Sequence, residues 1–138
     1  MPTDEELITL ARRAREQAYA PYSGFAVGAA VVDREDRVFT GCNIENASYG
    51  ATICAERTAV SKAVSEGSRK IRRLVVACGA EEPGLPCGIC RQVLAEFADA
   101  DFLCLCVCGS APAQGRPDPV LRLTLDDLLP HRFQFRPD

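Results

Sequence analysis

The chain has no excess of basic over acidic residues, no apolar run of membrane-spanning length and only one histidine, and each shortage removes a class of function. With a net charge of -3 it has no overall electrostatic footprint for a phosphate backbone, so polymeric nucleic acid is not the expected substrate. No stretch approaches the roughly 20 apolar residues a membrane helix requires. The acidic start Met1-Pro2-Thr3-Asp4-Glu5-Glu6 lacks the basic-then-apolar order of a secretory leader, which makes the cytoplasm the expected compartment. The lone His131 lies in a Pro-flanked tail and reads as a surface residue rather than a ligand. Repeats, low-complexity tracts and linkers are missing too.

What is present fits one globular domain spanning 1–138. The 138 residues are 47% hydrophobic and 25% charged, enough for one core and too few for two ordinary ones. Eight cysteines in a reducing compartment point to metal ligands or buried packing before disulfides. Thr3 and Glu6 form a capping box for a first helix, with Leu7, Leu10, Ala11, Ala14 and Ala18 on one face and an end before Pro21. Arg12, Arg13 and Arg15 read as its solvated face. Phe25–Asp33 and Arg37–Asn43 read as hairpin-linked strands. A helix over about Ile53–Glu66 then leads to a buried strand Ile71–Cys78, and the unit recurs as a helix Gly88–Ala98 and a strand Phe102–Cys108. A short strand Val120–Leu123 precedes Leu125–Leu129, and the turn-rich stretches 79–86 and 110–119 are loops. An antiparallel hairpin followed by alternating helix and strand implies a mixed sheet covered by helices.

The informative residues are Cys54-Ala55-Glu56 and Pro86-Cys87-Gly88-Ile89-Cys90, each at the predicted start of a helix. Zinc binds thiolates, and a helix N-terminus favours the thiolate through its unpaired N–H groups and dipole. Cys87 and Cys90, three apart, project from one helical face, and Cys54 supplies a third ligand. Three protein ligands leave a tetrahedral ion with an open position, the mark of a catalytic site. Glu56, in the same turn as Cys54, is placed to take a proton from water without serving as a ligand. Three thiolates around a divalent ion sum to about -1, so a cation is needed nearby. Of Arg57 and Arg91, Arg57 is the favoured donor to sulfur.

With these residues placed, the sequence resembles the small homotetrameric zinc-dependent cytidine deaminases of pyrimidine salvage. The likeness is carried by Pro21-Tyr22-Ser23 with Phe25, Val27-Gly28-Ala29-Ala30, Gly41-Cys42-Asn43-Ile44-Glu45-Asn46-Ala47, Cys54-Ala55-Glu56-Arg57-Thr58-Ala59, Pro86-Cys87-Gly88 with Cys90-Arg91-Gln92, and Leu128-Leu129-Pro130. It implies a three-layer α/β/α sandwich with a mixed five-stranded sheet and one Zn2+ per subunit. It also implies hydrolytic deamination of cytidine and deoxycytidine by zinc-bound hydroxide attack at C4, with Glu56 as proton shuttle. On the same ground Asn43 and Glu45 hold the ribose, Phe25 packs on the base and Ala55 lines the substrate site. A C-terminal Phe closes a neighbouring subunit's site, with Phe133 favoured over Phe135. The residue before Pro86 is Leu85, where the family commonly has serine.

A closed structural zinc site, with Cys42 or Cys78 as fourth ligand in a protein that is not an enzyme, stands beside this reading. For Cys42, Cys78, Cys104, Cys106 and Cys108 buried packing is the simpler role. Within deaminases, relatives acting on deoxycytidylate, nucleic-acid cytosine or blasticidin share parts of the motif.

Overall fold

The computed structural model describes residues 1–135 and 137. Its elements run α1 (Asp4–Arg15), β1 (Gly28–Asp33), β2 (Val38–Cys42), α2 (Ala55–Ser65), β3 (Ile71–Ala77), α3 (Gly88–Phe97), β4 (Ala98–Val107), β5 (Val120–Leu123) and α4 (Leu125–Leu128), with a single 3-10 turn at Tyr49–Ala51. The five strands form one sheet in the order β2-β1-β3-β4-β5. Pairing is antiparallel except between β3 and β4, which run parallel, so the sheet is mixed.

Strand alternation sends successive side chains to opposite faces, and each face has a helical cover. Ala30, Val32, Val75, Ala77, Leu105 and Val107 meet Leu7 and Ala11 of α1. Ala29, Val31, Leu74, Val76, Cys104 and Cys106 meet Ala59, Val60 and Ala63 of α2 with Leu94 of α3 and Leu128 of α4. The result is the expected three-layer α/β/α arrangement around a mixed five-stranded sheet. The cysteines read as packing residues behave accordingly: Cys78, Cys104, Cys106 and Cys108 are buried, Cys42 is half-buried, and all are free thiols.

Two bare positions bring the helices close to the sheet. A β-carbon added at Gly28 would lie 2.0 Å from the Ala11 carbonyl oxygen of α1, and one at Gly41 would lie 2.6 Å from the Ala59 nitrogen of α2. Gly28 pairs with Cys42 and Ala29 with Gly41, so both helices press on the same end of the hairpin, from opposite faces. At the hairpin's other end the buried Asp33 carboxylate accepts from the Glu35 and Arg37 amides, the Arg37 guanidinium and the Ser68 hydroxyl. Burial opposes its ionisation, but the Ser68 hydroxyl and then Arg37 outweigh burial and hold its carboxyl below the ordinary value.

Several boundaries differ from the sequence reading for identifiable reasons. α1 ends at Arg15, leaving Ala18 beyond it. β1 begins at Gly28 rather than Phe25 because the Asn43 side chain substitutes for a strand partner, its Oδ1 accepting from Val27 N at 2.9 Å and its Nδ2 donating to Phe25 O at 2.8 Å. β4 begins at Ala98, with a break in register against β3 after the Ile71–Ala98 pair. Its polar start carries no apolar signal and is held by ion pairs, Arg34 to Asp99 and Arg72 to Asp101. The solvated-face reading holds for Arg13 alone. Arg12 donates to the Cys108 carbonyl and grips Asp118 with both terminal nitrogens, while Arg15 donates to the Ala26 carbonyl. Because α1 lies across the sheet, guanidinium groups in its last turn reach carbonyls at the ends of neighbouring segments.

Candidate active site

Helices α2 and α3 start side by side, and the residue that begins each is a cysteine. Cys54 caps α2 and Cys87 caps α3, both with extended backbone and neither using its side chain to bond the helix amides. The sulfurs are left for other work. Cys90, one turn into α3, completes a group in which the three Sγ atoms lie within 4.8 Å of one another, and neither Cys42 nor Cys78 belongs to it.

This group fits zinc. Tetrahedral Zn–S bonds of about 2.3 Å require sulfurs about 3.8 Å apart, and Cys54 Sγ lies 3.7 Å from Cys87 Sγ. The donors are of the soft type that selects zinc. They also share charge as a ligand set must. The Cys54 thiol is held down to about 5 by the neighbouring Cys90 thiol and, less strongly, by Arg57 and Cys87, whereas Cys90 is pushed up by the same partnership. Without a cation the Cys54 thiolate is favoured and Cys90 resists ionising.

Arg57, one turn after Cys54, donates from Nη2 to Cys54 Sγ at 3.7 Å and to the Thr52 carbonyl at 3.3 Å. Its Nε is buried without a hydrogen-bond partner. Arg91 points elsewhere, donating to the Pro86 and Leu128 carbonyls at 2.8 and 2.7 Å. Of the two arginines considered from sequence, only Arg57 has a bond to a cluster sulfur among the described residues.

A cavity of about 270 Å3 opens beside the sulfurs, lined by Cys54, Cys87, Ala55, Glu56, Phe25, Asn43 and Glu45, residues drawn from four stretches of sequence. Glu56 is 4% exposed. Burial, reinforced by the Cys54 charge, pushes its carboxyl up to about 7 in the metal-free protein. Such a group is poised to exchange a proton near neutrality. Asn43, tied to the 25–27 backbone, retains one acceptor lone pair and one N–H. Glu45 is fastened by the Ser23 hydroxyl and by the Tyr22 and Ser23 amides, and the Ser23 bond is the main reason its carboxyl lies below the ordinary value. Phe25 is half exposed on the cavity wall.

Phe133 and Phe135 are not among the lining residues, and at 71% and 77% exposure both point away from the protein's own interior. The wall also includes Ser23, Val27, Thr52, Val76 and Leu85, to which the sequence reading gave no site role, and Cys78, which it weighed only as the fourth ligand of a closed zinc site. Val76 and Cys78 lie at the carboxyl end of the parallel strand β3, where sheets of this kind bind ligands, and that rule was the available signal.

Comparison with known proteins agrees with this geometry. Residues 1–106 match the profile of the cytidine and deoxycytidylate deaminase zinc-binding region. A cytidine deaminase of Sporosarcina psychrophila is 54% identical over 98 residues, covering 71% of this chain and 72% of that protein. One of Mycobacterium tuberculosis (strain ATCC 25618 / H37Rv) is 42% identical over 123 residues, covering 89% of this chain and 84% of its own. The crystal structure of a cytidine deaminase from Burkholderia pseudomallei superposes with a TM-score of 0.83 at 42% identity, covering 96% of this chain and all of that one. That from Mycobacterium tuberculosis gives 0.78 at 38% identity, covering 97% and 100%.

Proposed function

The chain belongs to the cytidine and deoxycytidylate deaminase zinc-binding family, and from that premise we propose that it hydrolyses cytidine and deoxycytidine to uridine and deoxyuridine with release of ammonia. The observation that carries the reading is a three-sulfur cluster, two of whose cysteines line a cavity together with a buried carboxylate. A structural zinc site has no use for either the cavity or the carboxylate.

Cys54, Cys87 and Cys90 hold the ion. When bound, zinc supplies the electrophilic charge that lowers the pKa of water and yields a nucleophile at neutral pH. Glu56 takes a proton from the attacking water and delivers it to N3 of the cytosine ring, which makes C4 electrophilic. It then collects the proton of the new C4 hydroxyl and passes it to the departing exocyclic nitrogen. Water enters, ammonia leaves, and the carboxylate is restored. Burial and the Cys54 charge place the Glu56 carboxyl at about 7, so both the ionised and the protonated form that the cycle uses are accessible near neutrality. Phe25 packs on the base, Asn43 and Glu45 receive the sugar hydroxyls, and Ala55 forms part of the floor.

Arg57 keeps the sulfurs from neutralising the metal's charge by drawing electron density from Cys54. Arg57→Gln is expected to lower kcat about 10- to 100-fold, the usual cost of losing a partner of a metal ligand, with the thermal unfolding midpoint little changed. Unchanged kinetics in a zinc-replete sample would count against the role.

The large exposed side chains Tyr19, Tyr49, Ile53 and Phe133 are the surface of a subunit that covers them with copies of itself. A homotetramer of single 1–138 domains in the cytoplasm, serving pyrimidine salvage, is the corresponding assembly and setting, with Phe133 reaching a neighbour's cavity. No helix among the described residues is long and apolar enough to cross a membrane.

The decisive assay follows the loss of cytosine absorbance with purified zinc-replete protein on cytidine, deoxycytidine, their monophosphates and blasticidin. Nucleosides are expected to be consumed at least about 10-fold more efficiently than monophosphates, because the Glu45 carboxylate repels added negative charge near the sugar. A preference for monophosphates or blasticidin would overturn the assignment.

A further inference from the structure

Leu85 is a large apolar side chain on the cavity wall that the chemistry above does not use. It is 48% exposed, so part of its side chain is open to whatever occupies the cavity. The backbone on both sides of it is pinned. The Gly84 amide donates to the Cys78 carbonyl at 3.2 Å, and the Pro86 carbonyl accepts from Arg91 Nε at 2.8 Å. Pro86 itself restricts Leu85 to extended backbone. Leu85 therefore forms a fixed wall rather than a flap, two residues from Cys87 and so beside the sulfurs, where the carbon that loses its amine must lie.

We propose that Leu85 is a specificity-determining residue that limits what the cytosine ring carries next to the reacting carbon, on the exocyclic nitrogen or on C5. This rests on the cytidine deaminase reading and deepens it. A rigid apolar wall admits the planar base and its unsubstituted amine, and it rejects added alkyl groups by steric overlap. Phe25, the other half-exposed large apolar residue on the wall, comes from a different segment, its backbone held by Ser23 and Asn43, and packs on the base.

The test compares cytidine with N4-methylcytidine and 5-methylcytidine on zinc-loaded wild type and Leu85→Ala, with zinc content and unfolding midpoint as controls. A second readout, free of turnover, is the Kd of the same nucleosides for the Glu56→Gln protein with and without Leu85→Ala. For at least one of the methylated nucleosides, kcat/KM relative to cytidine is expected to rise about 10-fold or more in Leu85→Ala, the scale on which a pocket discriminates one methylene. Relative Kd should shift in the same direction. Cytidine turnover with both ratios unchanged overturns the wall proposal alone. Failure of the zinc-loaded wild type to consume cytidine overturns the proposed function, and this proposal with it.

Discussion

Glu56→Gln is expected to lower kcat for cytidine by about 100- to 10,000-fold, the range that a positioned proton carrier contributes, while zinc content stays at one per chain. The amide keeps the shape of the side chain and fills the same buried position, so packing against the cavity floor is retained. It cannot take a proton from water or hand one to N3. Stability supplies an internal control. A carboxyl raised from 4.5 to about 7 by burial costs the folded state free energy as pH rises through that interval, since the unfolded chain ionises first. Glutamine removes this cost, so the metal-free variant is expected to be no less stable than the metal-free parent at pH 7. A drop in rate accompanied by a lower unfolding midpoint would instead report damaged structure, and equal rates would reject the proton-transfer role.

The other large effect comes from the ligands. Cys87→Ser replaces a soft donor at the N-cap of α3 with a hard one and leaves two sulfurs for the ion. Zinc content is expected to fall well below one per chain, and activity to fall by more than the 10- to 100-fold seen when only a partner of a ligand is lost. Chelation of the parent should give the same inactive state, with one difference. Added zinc restores the parent and leaves the variant inactive. Full activity and full zinc in Cys87→Ser would remove Cys87 from the ligand set. Metal uptake must also expel the protons that the crowded thiols retain, so loading is expected to weaken as pH falls.

The helices bearing Cys54, Glu56, Cys87 and Cys90 were legible in the sequence because the clustered cysteines sit at or near helix starts, where spacing translates directly into position. Strand cores were legible for a similar reason, since Leu74, Val75 and Val76 announce burial on both faces. What escaped was decided by long-range contacts. Nothing local says that Arg12 will reach Asp118, that Asp99 will be held by Arg34, or that Asn43 will cap the Phe25–Val27 segment by binding its backbone. Leu85 was visible as a departure from a familiar pattern, yet its place on the wall depends on a loop whose path is set by the Cys78 and Arg91 contacts. Local propensity carries no information about such partners.

Gly41 has the last consequence. With no side chain there, the axis of α2 rests directly on main chain, and Ala55, Glu56 and Ala59 are seated at the depth this contact allows. The position of the Glu56 carboxylate is thus calibrated from beneath, by a missing methyl group on a strand that contributes nothing to the cavity wall.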